Sequence, residues 1–504
     1  MTTIKTSRGL FSAALVLWLG GAGTGCGISS AEYFGLPSGG VGEFGATAGG
    51  VKDLALAREL VKVGQVPPAE ALLVEGAFSE HDLPLTGAPC AKQLCLRGAL
   101  GIAPGAANEP AGFVQVAMSS ALDPATFVRP STTVIATVDV SGSMGWSASR
   151  NLGVAHPSAG ALSYSLLKEL ASRLGPQDRI ALVAYGSSVT TVLDTTVGGD
   201  PRIVAAIDSL KEAGSTNMEA GLRRAYALAA AAKGNGTQQV RVMLFTDENP
   251  NVGATGTTEF SQMVSAGAEA GTGITVFGMG LGLRADLFAA MSHFRGGNAF
   301  SLSRAEDVGA LMADSWPWMV SPLAYDLKLN LTAGAGFKIV NSYGFPGAKD
   351  AAQLEVSSVF LSKRKGGLLV QLAPTEMGMA PEVLKGMSAS GTLTYTQVDG
   401  VKQSEPLSVS YGGEPLDARG QFFPQQSVGV ATALALVVSG MHDAAALYAT
   451  DKAAGAAKLQ TVLTRFLADR ATLTDPSLHA EQQLAEGMLA LMEKGAPQGN
   501  LYGY

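Results

Sequence analysis

Cysteine is scarce, with three in 504 residues: Cys26, Cys90 and Cys95. So few in so long a chain exclude a small fold held together by disulfides. Without a neighbouring histidine, the pair at 90 and 95 also makes a poor zinc site. Charge is thin as well. Asp, Glu, Lys and Arg supply 15% of the residues, against about 25% in ordinary soluble domains. The net charge is −7 with the two signs interspersed, so there is no basic stripe to hold a nucleic acid. No His-Glu-x-x-His and no Gly-x-x-x-x-Gly-Lys-Ser/Thr occurs, which removes one class of metalloprotease and a P-loop nucleotide site. The histidines, His81, His156, His293, His442 and His479, are scattered, and no nucleophile–base pair stands out. These absences leave no catalytic class that the motifs name. Apolar runs are short too: Leu10 to Leu19 and Val428 to Ser439 both fall below the roughly 20 residues of a membrane-spanning helix.

What the chain has is small and apolar residues, 63 glycines within a 47% hydrophobic composition. That is a globular balance, long enough for two to four domains at roughly 150 residues each.

The first 26 residues read as an export signal. Lys5 and Arg8 form a positive start, Leu10 to Leu19 an apolar stretch, and Gly21 to Gly25 a run of small residues ahead of Cys26. A cysteine in that place resembles the bacterial lipobox, whose cysteine is lipidated and becomes the first residue of the mature protein. The third residue before it departs from the pattern, being Gly23 where an aliphatic is usual; plain secretion is the alternative. If Cys26 carries lipid, Cys90 and Cys95 remain as an even set in an oxidising compartment, and a disulfide closing their short loop is expected. The other reading is two unpaired thiols.

Residues 27–50 are Gly/Ser-rich without periodicity and read as a flexible tether. An N-terminal segment follows over 51–128, with a helical pattern from Val51 to Val63 stopped by Pro67 and Pro68, the cysteine loop, and a strand near Gly112 to Met118. Over 129–321 strands alternate with helices, beginning with the β-branched run Ser131 to Val138. That alternation predicts an α/β, doubly wound, mostly parallel sheet covered on both faces. Over 322–415 short alternating runs, with Asp399-Gly400 as a hairpin signal, predict an antiparallel β-sandwich module. One plausible arrangement joins strands from about 110–128 to this module, so that the α/β domain is inserted into the sandwich. Residues 416–504 carry three helical stretches.

Within the α/β region, Asp139-Val140-Ser141-Gly142-Ser143 ends the first strand, Gly214-Ser215-Thr216-Asn217 opens a helix, and Phe245-Thr246-Asp247 ends a later strand. Together these motifs resemble the von Willebrand factor A (vWA) family, over roughly residues 130–320. The resemblance implies a metal-ion-dependent adhesion site built from Asp139, Ser141, Ser143, Thr216 and Asp247. It also implies that the first and fourth strands lie side by side, at the reversal of strand order where open α/β sheets bind ligands.

Five hard oxygen ligands, three of them neutral hydroxyls, suit Mg²⁺, with Mn²⁺ or Ca²⁺ as alternatives. By the same resemblance the cation keeps a position open for a Glu or Asp of a protein partner. Many family members have glycine after the second aspartate, whereas Glu248 stands here. An export signal, an N-terminal segment, a vWA domain and then a β-module also resemble, in layout, the bacterial proteins called calcium-activated chloride channel-like.

The expectation is therefore a lipid-anchored protein of the bacterial cell envelope, on a periplasmic or surface face, that captures an acidic side chain of a partner through a bound divalent cation. The competing expectation is a structural scaffold or assembly protein in which the metal is secondary.

Overall fold

The computed structural model describes residues 44–123, 125–147, 156–233, 239–247, 249–345, 353–376 and 384–499. Cys26, the export signal and Glu248 lie outside them. The first described elements are β1 (Phe44–Ala48), β2 (Gly50–Val51), α1 (Ala55–Lys62), α2 (Val74–Glu80), β3 (Cys95–Pro104) and β4 (Pro110–Ser120). The α/β region runs β5 (Thr132–Asp139), α3 (Ala159–Ser172), β6 (Arg179–Tyr185), β7 (Val189–Val197), α4 (Arg202–Asp208), α5 (Met218–Lys233), β8 (Gln239–Thr246), α6 (Thr257–Glu269), β9 (Gly273–Met279), α7 (Ala285–Ser292), β10 (Gly297–Leu302) and α8 (Asp307–Met319). Then come β11 (Pro322–Ala333), β12 (Phe337–Tyr343), β13 (Gln353–Ser362), β14 (Gly367–Pro374), β15 (Ser388–Gln397) and β16 (Lys402–Ser410), and the helices α9 (Gln426–Tyr448), α10 (Lys452–Thr472) and α11 (His479–Glu493).

The α/β region forms a seven-stranded sheet in the order β2-β10-β9-β8-β5-β6-β7. Every pairing is parallel except β6 with β7. Every residue of β5 is buried, as a central parallel strand covered on both sides must be. Successive side chains point to opposite faces: Val134, Ala136 and Val138 pack with Leu162 and Leu166 of α3, and Ile135 packs with Leu222 and Ala225 of α5. β5 lies between β8 and β6, so strand order reverses there and the carboxyl ends of β5 and β8 share one crevice.

The second sheet has nine strands in antiparallel pairings, ordered β12-β14-β4-β1-β13-β11-β15-β16, with β3 beside β4. It folds over one core in which Val114, Val116 and Met118 of β4 meet Leu327 and Leu329 of β11 and Leu393 of β15. The opposite face of β4 turns to the helices: Phe113 packs with the α9 cluster, and Gln115 donates from Nε2 to Ser427 Oγ at 2.9 Å. The Asp399-Gly400 hairpin is present, with Gly400 at φ +87°.

Two expectations change. The tether assigned to 27–50 overlaps β1, which pairs with β4 and β13. Glycine there serves close packing and not flexibility: a Cβ on Gly45 would lie 1.8 Å from the Arg364 carbonyl oxygen, and one on Gly49 2.8 Å from that of Gly297. The segment 51–128 is not a unit of its own, because β3 and β4 belong to the module's sheet while Val51, in β2, edges the α/β sheet. The apolar stretch Val428 to Ser439 lies within α9, which at 23 residues is long and apolar enough to cross a membrane by length and composition. It packs as a core helix, as that stretch suggests, with Val430, Leu434 and Met441 buried against Phe113, Phe466 and Met488.

Candidate metal centre

Asp139 is the last residue of β5 and has no exposed surface. Its Oδ1 accepts from the Ser141 backbone N–H at 2.8 Å, and its Oδ2 from the Thr246 hydroxyl at 3.1 Å. The first bond bends the chain off the strand end. Ser141 then leads into a single helical turn, Gly142–Gly145, which leaves the Ser141 and Ser143 hydroxyls 3.1 Å apart.

Asp247 follows β8 directly. The Ser143 hydroxyl hydrogen-bonds to its carboxylate, and Asn249 holds its carbonyl oxygen from Nδ2 at 3.0 Å. Thr216 comes from a third loop and is buried. Its N–H donates to Asn251 Oδ1 at 2.8 Å, and its carbonyl accepts from the Asn251 and Val252 N–H groups, each at 3.1 Å. That loop is tied to the first by Ala213 N–H to Val140 O at 2.7 Å and Gly142 N–H to Gly214 O at 3.0 Å. Just after Thr216, Asn217 Oδ1 accepts from Ala220 N–H at 3.0 Å, satisfying an otherwise orphan donor at the start of α5.

The crevice is electrostatically unbalanced. Burial raises Asp139 to about 7, and the neighbouring Asp247 carboxylate adds to the rise against the pull of the Ser141 and Thr246 hydrogen bonds. Burial also raises Asp247, with Ser143 and Asn249 opposing. Asp247 Oδ1 is buried without a hydrogen-bond partner among the described residues. A buried, unpaired carboxylate oxygen beside a second carboxylate is costly unless a cation belongs between them. Two carboxylates and three hydroxyls form a hard-oxygen donor set that suits such an ion.

Thus the Asp139 and Asp247 loops meet directly, and the Thr216 loop is fastened against the Asp139 loop. Thr246, Asn249 and Asn251, which hold the set in place, carry no signal in the sequence beyond their nearness to Asp247. A narrow cleft beside Ser143 and Asp247 is lined by Trp146, His156, Asn249 and Gly280 to Gly282, and Trp146 is half exposed there.

Residues 134–249 match the von Willebrand factor type A domain family. They form a vWA domain. The E. coli K12 protein named "Uncharacterized protein YfbK" is 31% identical over 229 residues, 44% of this chain. This chain spans only 38% of that relative's length. Among solved structures, a von Willebrand factor type A protein from Catenulispora acidiphila aligns at TM-score 0.46 and 12% identity, over 83% of this chain and 99% of that one. The ArnB paralog VWA2 from Sulfolobus acidocaldarius aligns at TM-score 0.43 and 12% identity, over 80% and 98%. vWA domains commonly mediate protein–protein interactions.

Proposed function

We propose that this protein captures an acidic side chain of a protein partner through a divalent cation held by Asp139, Ser141, Ser143, Thr216 and Asp247, and that it does so without catalysing a reaction. The observation that carries this reading is Asp247 Oδ1, buried beside Asp139 and without a hydrogen-bond partner among the described residues. Mg²⁺ is the ion we assign, with Mn²⁺ and Ca²⁺ as substitutes. When bound, it would supply an electrophilic position that a partner's Glu or Asp oxygen can occupy. The protein's own groups set the charge: two carboxylates bind the ion without cancelling its attraction for a third, whereas four would repel the incoming acid. Trp146 and the cleft beside it offer the partner an apolar contact next to the ion.

The same proposal places the protein in a bacterial cell envelope, exported and held to a membrane by lipid on Cys26. The experiment that tests the binding reading is crosslinked capture from intact envelopes, with wild type and Asp247→Ala, in Mg²⁺ and in chelator. Partners recovered by wild type in Mg²⁺ and lost in the other three conditions support it. Equal recovery in all four would replace it with a scaffold role in which the metal is secondary.

A further inference from the structure

A second cavity, of about 360 Å³, opens where the vWA domain, the module sheet and the first helices meet. Cavities of this volume commonly hold small organic ligands. Phe300, Leu302, Leu311, Trp318, Met319 and Phe360 give it an apolar wall, and exposed Lys62 stands at its edge.

The carboxylates in the wall are answered within the protein. Arg58 meets Glu80 at 2.7 Å, Lys363 meets Asp314 at 2.7 Å, and Lys62 meets Glu59 at 3.2 Å. Arg304 lies 3.7 Å from Asp307, and Asp53 accepts from the Ala55 and Ser301 N–H groups, each at 3.0 Å.

Lys52 differs. Its ammonium donates to Thr47 Oγ1 at 3.1 Å and to the Ala48 carbonyl, lies 5.5 Å from the centre of the Phe360 ring, and forms no ion pair with a carboxylate among the described residues. Burial, helped by the Arg241 guanidinium against the same ring, lowers it to about 7. Trp318 contributes an unused donor, its buried Nε1–H having no acceptor among the described residues.

An apolar wall holding a cation without a counter-ion and an N–H without an acceptor calls for a ligand that is apolar along its body and anionic at one end. We propose that this cavity binds a small amphipathic monocarboxylate, its carboxylate against Lys52 and its apolar body along Phe300, Leu311 and Trp318. A neutral amide of the same shape would bury the body equally well and leave the ammonium uncompensated, so charge at Lys52 is what distinguishes the two ligands.

The test is calorimetry on the exported chain with decanoate and 4-phenylbutyrate as probes, each paired with its amide. Wild type should bind at least one acid one-to-one and about tenfold or more tighter than its amide. Lys52→Met should bind acid and amide alike, and Leu311→Trp, which fills the cavity, should weaken both. Asp247→Ala should bind the acids as wild type does, since the cavity does not share the metal centre's residues. Equal binding of acid and amide by wild type, no binding of either acid at millimolar concentration, or a preference that survives Lys52→Met would overturn the proposal. If Lys52→Met does not fold, the acid–amide comparison on wild type decides alone.

Discussion

Arg58 and Glu481, separated by 423 positions, meet at 2.9 Å in the interior. Glu481 has no exposed surface and is also 3.1 Å from His81 Nε2, while Arg58 grips Glu80 with both terminal nitrogens at 2.7 Å. Four charged or chargeable groups thus bolt α1 and α2 to α11. Burial works against the imidazolium, but the Glu481 carboxylate outweighs it and raises His81 above its ordinary value. Burial likewise works against the Glu481 anion, yet His81 and Arg58 bring it down to about 2.

The first prediction follows from those directions. A histidine raised on folding contributes stability in full below its unfolded value, near 6.5, and loses it as pH rises through the folded value. A carboxylate lowered on folding contributes above its unfolded value, near 4.5, and loses it as pH falls toward 2. The cluster is therefore strongest between about pH 4.5 and 6.5. Thermal melting of wild type and His81→Gln should show the largest deficit for the variant in that window and a shrinking one toward pH 9. A deficit independent of pH would mean that the imidazole contributes by packing alone.

The second prediction concerns the metal centre. A carboxyl raised on folding costs stability above its unfolded value near 3.8, and the cost is complete once pH passes the folded value, about 7 for Asp139. In chelator at pH 7.5, Asp139→Asn should therefore melt higher than wild type, by the equivalent of about 1 kcal/mol or more. In excess Mg²⁺ the order should reverse, because only wild type gains from the ion. A wild-type melting temperature unmoved by Mg²⁺, Mn²⁺ and Ca²⁺ would count against the site.

The third prediction concerns Cys90 and Cys95, which form a disulfide with Cα atoms 5.7 Å apart. Closing so short a loop removes little freedom from the unfolded chain, about 2 kcal/mol on the loop-entropy argument. Cys90→Ser with Cys95→Ser should lower the melting temperature modestly and leave the circular dichroism unchanged. Proteolysis should quicken in the loop ahead of β3. Native thiols that react with an alkylating agent before reduction would contradict the pairing.

A fourth prediction separates a structural β1 from a tether. Gly45→Ala drives a methyl into the Arg364 carbonyl, which cannot rotate away as a side chain could. It should cost about 2 kcal/mol, within the usual range for overpacking, whereas the same change in a flexible tether would cost nothing. Matched melting curves of variant and wild type decide between them.

The sequence was most readable where a single period ran unbroken. β5, β8 and β9 are mostly apolar and β-branched runs that read as strands, whereas the strand reversal beside β5 came from what the vWA resemblance implies. The five proposed ligands were legible through the vWA resemblance, carried by Asp139-x-Ser141-x-Ser143 and Asp247 at strand ends and by Thr216 ahead of a helix. Less legible was anything set by partners far along the chain. β1 reads as Phe-Gly-Ala-Thr-Ala, a composition indistinguishable from a linker until Ser120 and Ser362 are placed beside it. β7 is half exposed and polar along much of its length, so it lacked the apolar signal of its neighbours. The ammonium of Lys52 and the Arg58 cluster depend on elements brought together from both ends of the chain, and no local pattern marks them.

Only Gly49 separates β1 in one sheet from β2 in the other, and the chain crosses again between β4 and β5 and between α8 and β11. A domain hung on one linker can swivel; one sewn in at several points cannot. A pull on the crevice of Asp139 and Asp247 would pass into the nine-stranded sheet through several chain crossings at once. The load would be divided among strands before it reached the N-terminal end of the protein. The vWA domain would then behave less like a hook on a string than like a clamp bolted to a plate.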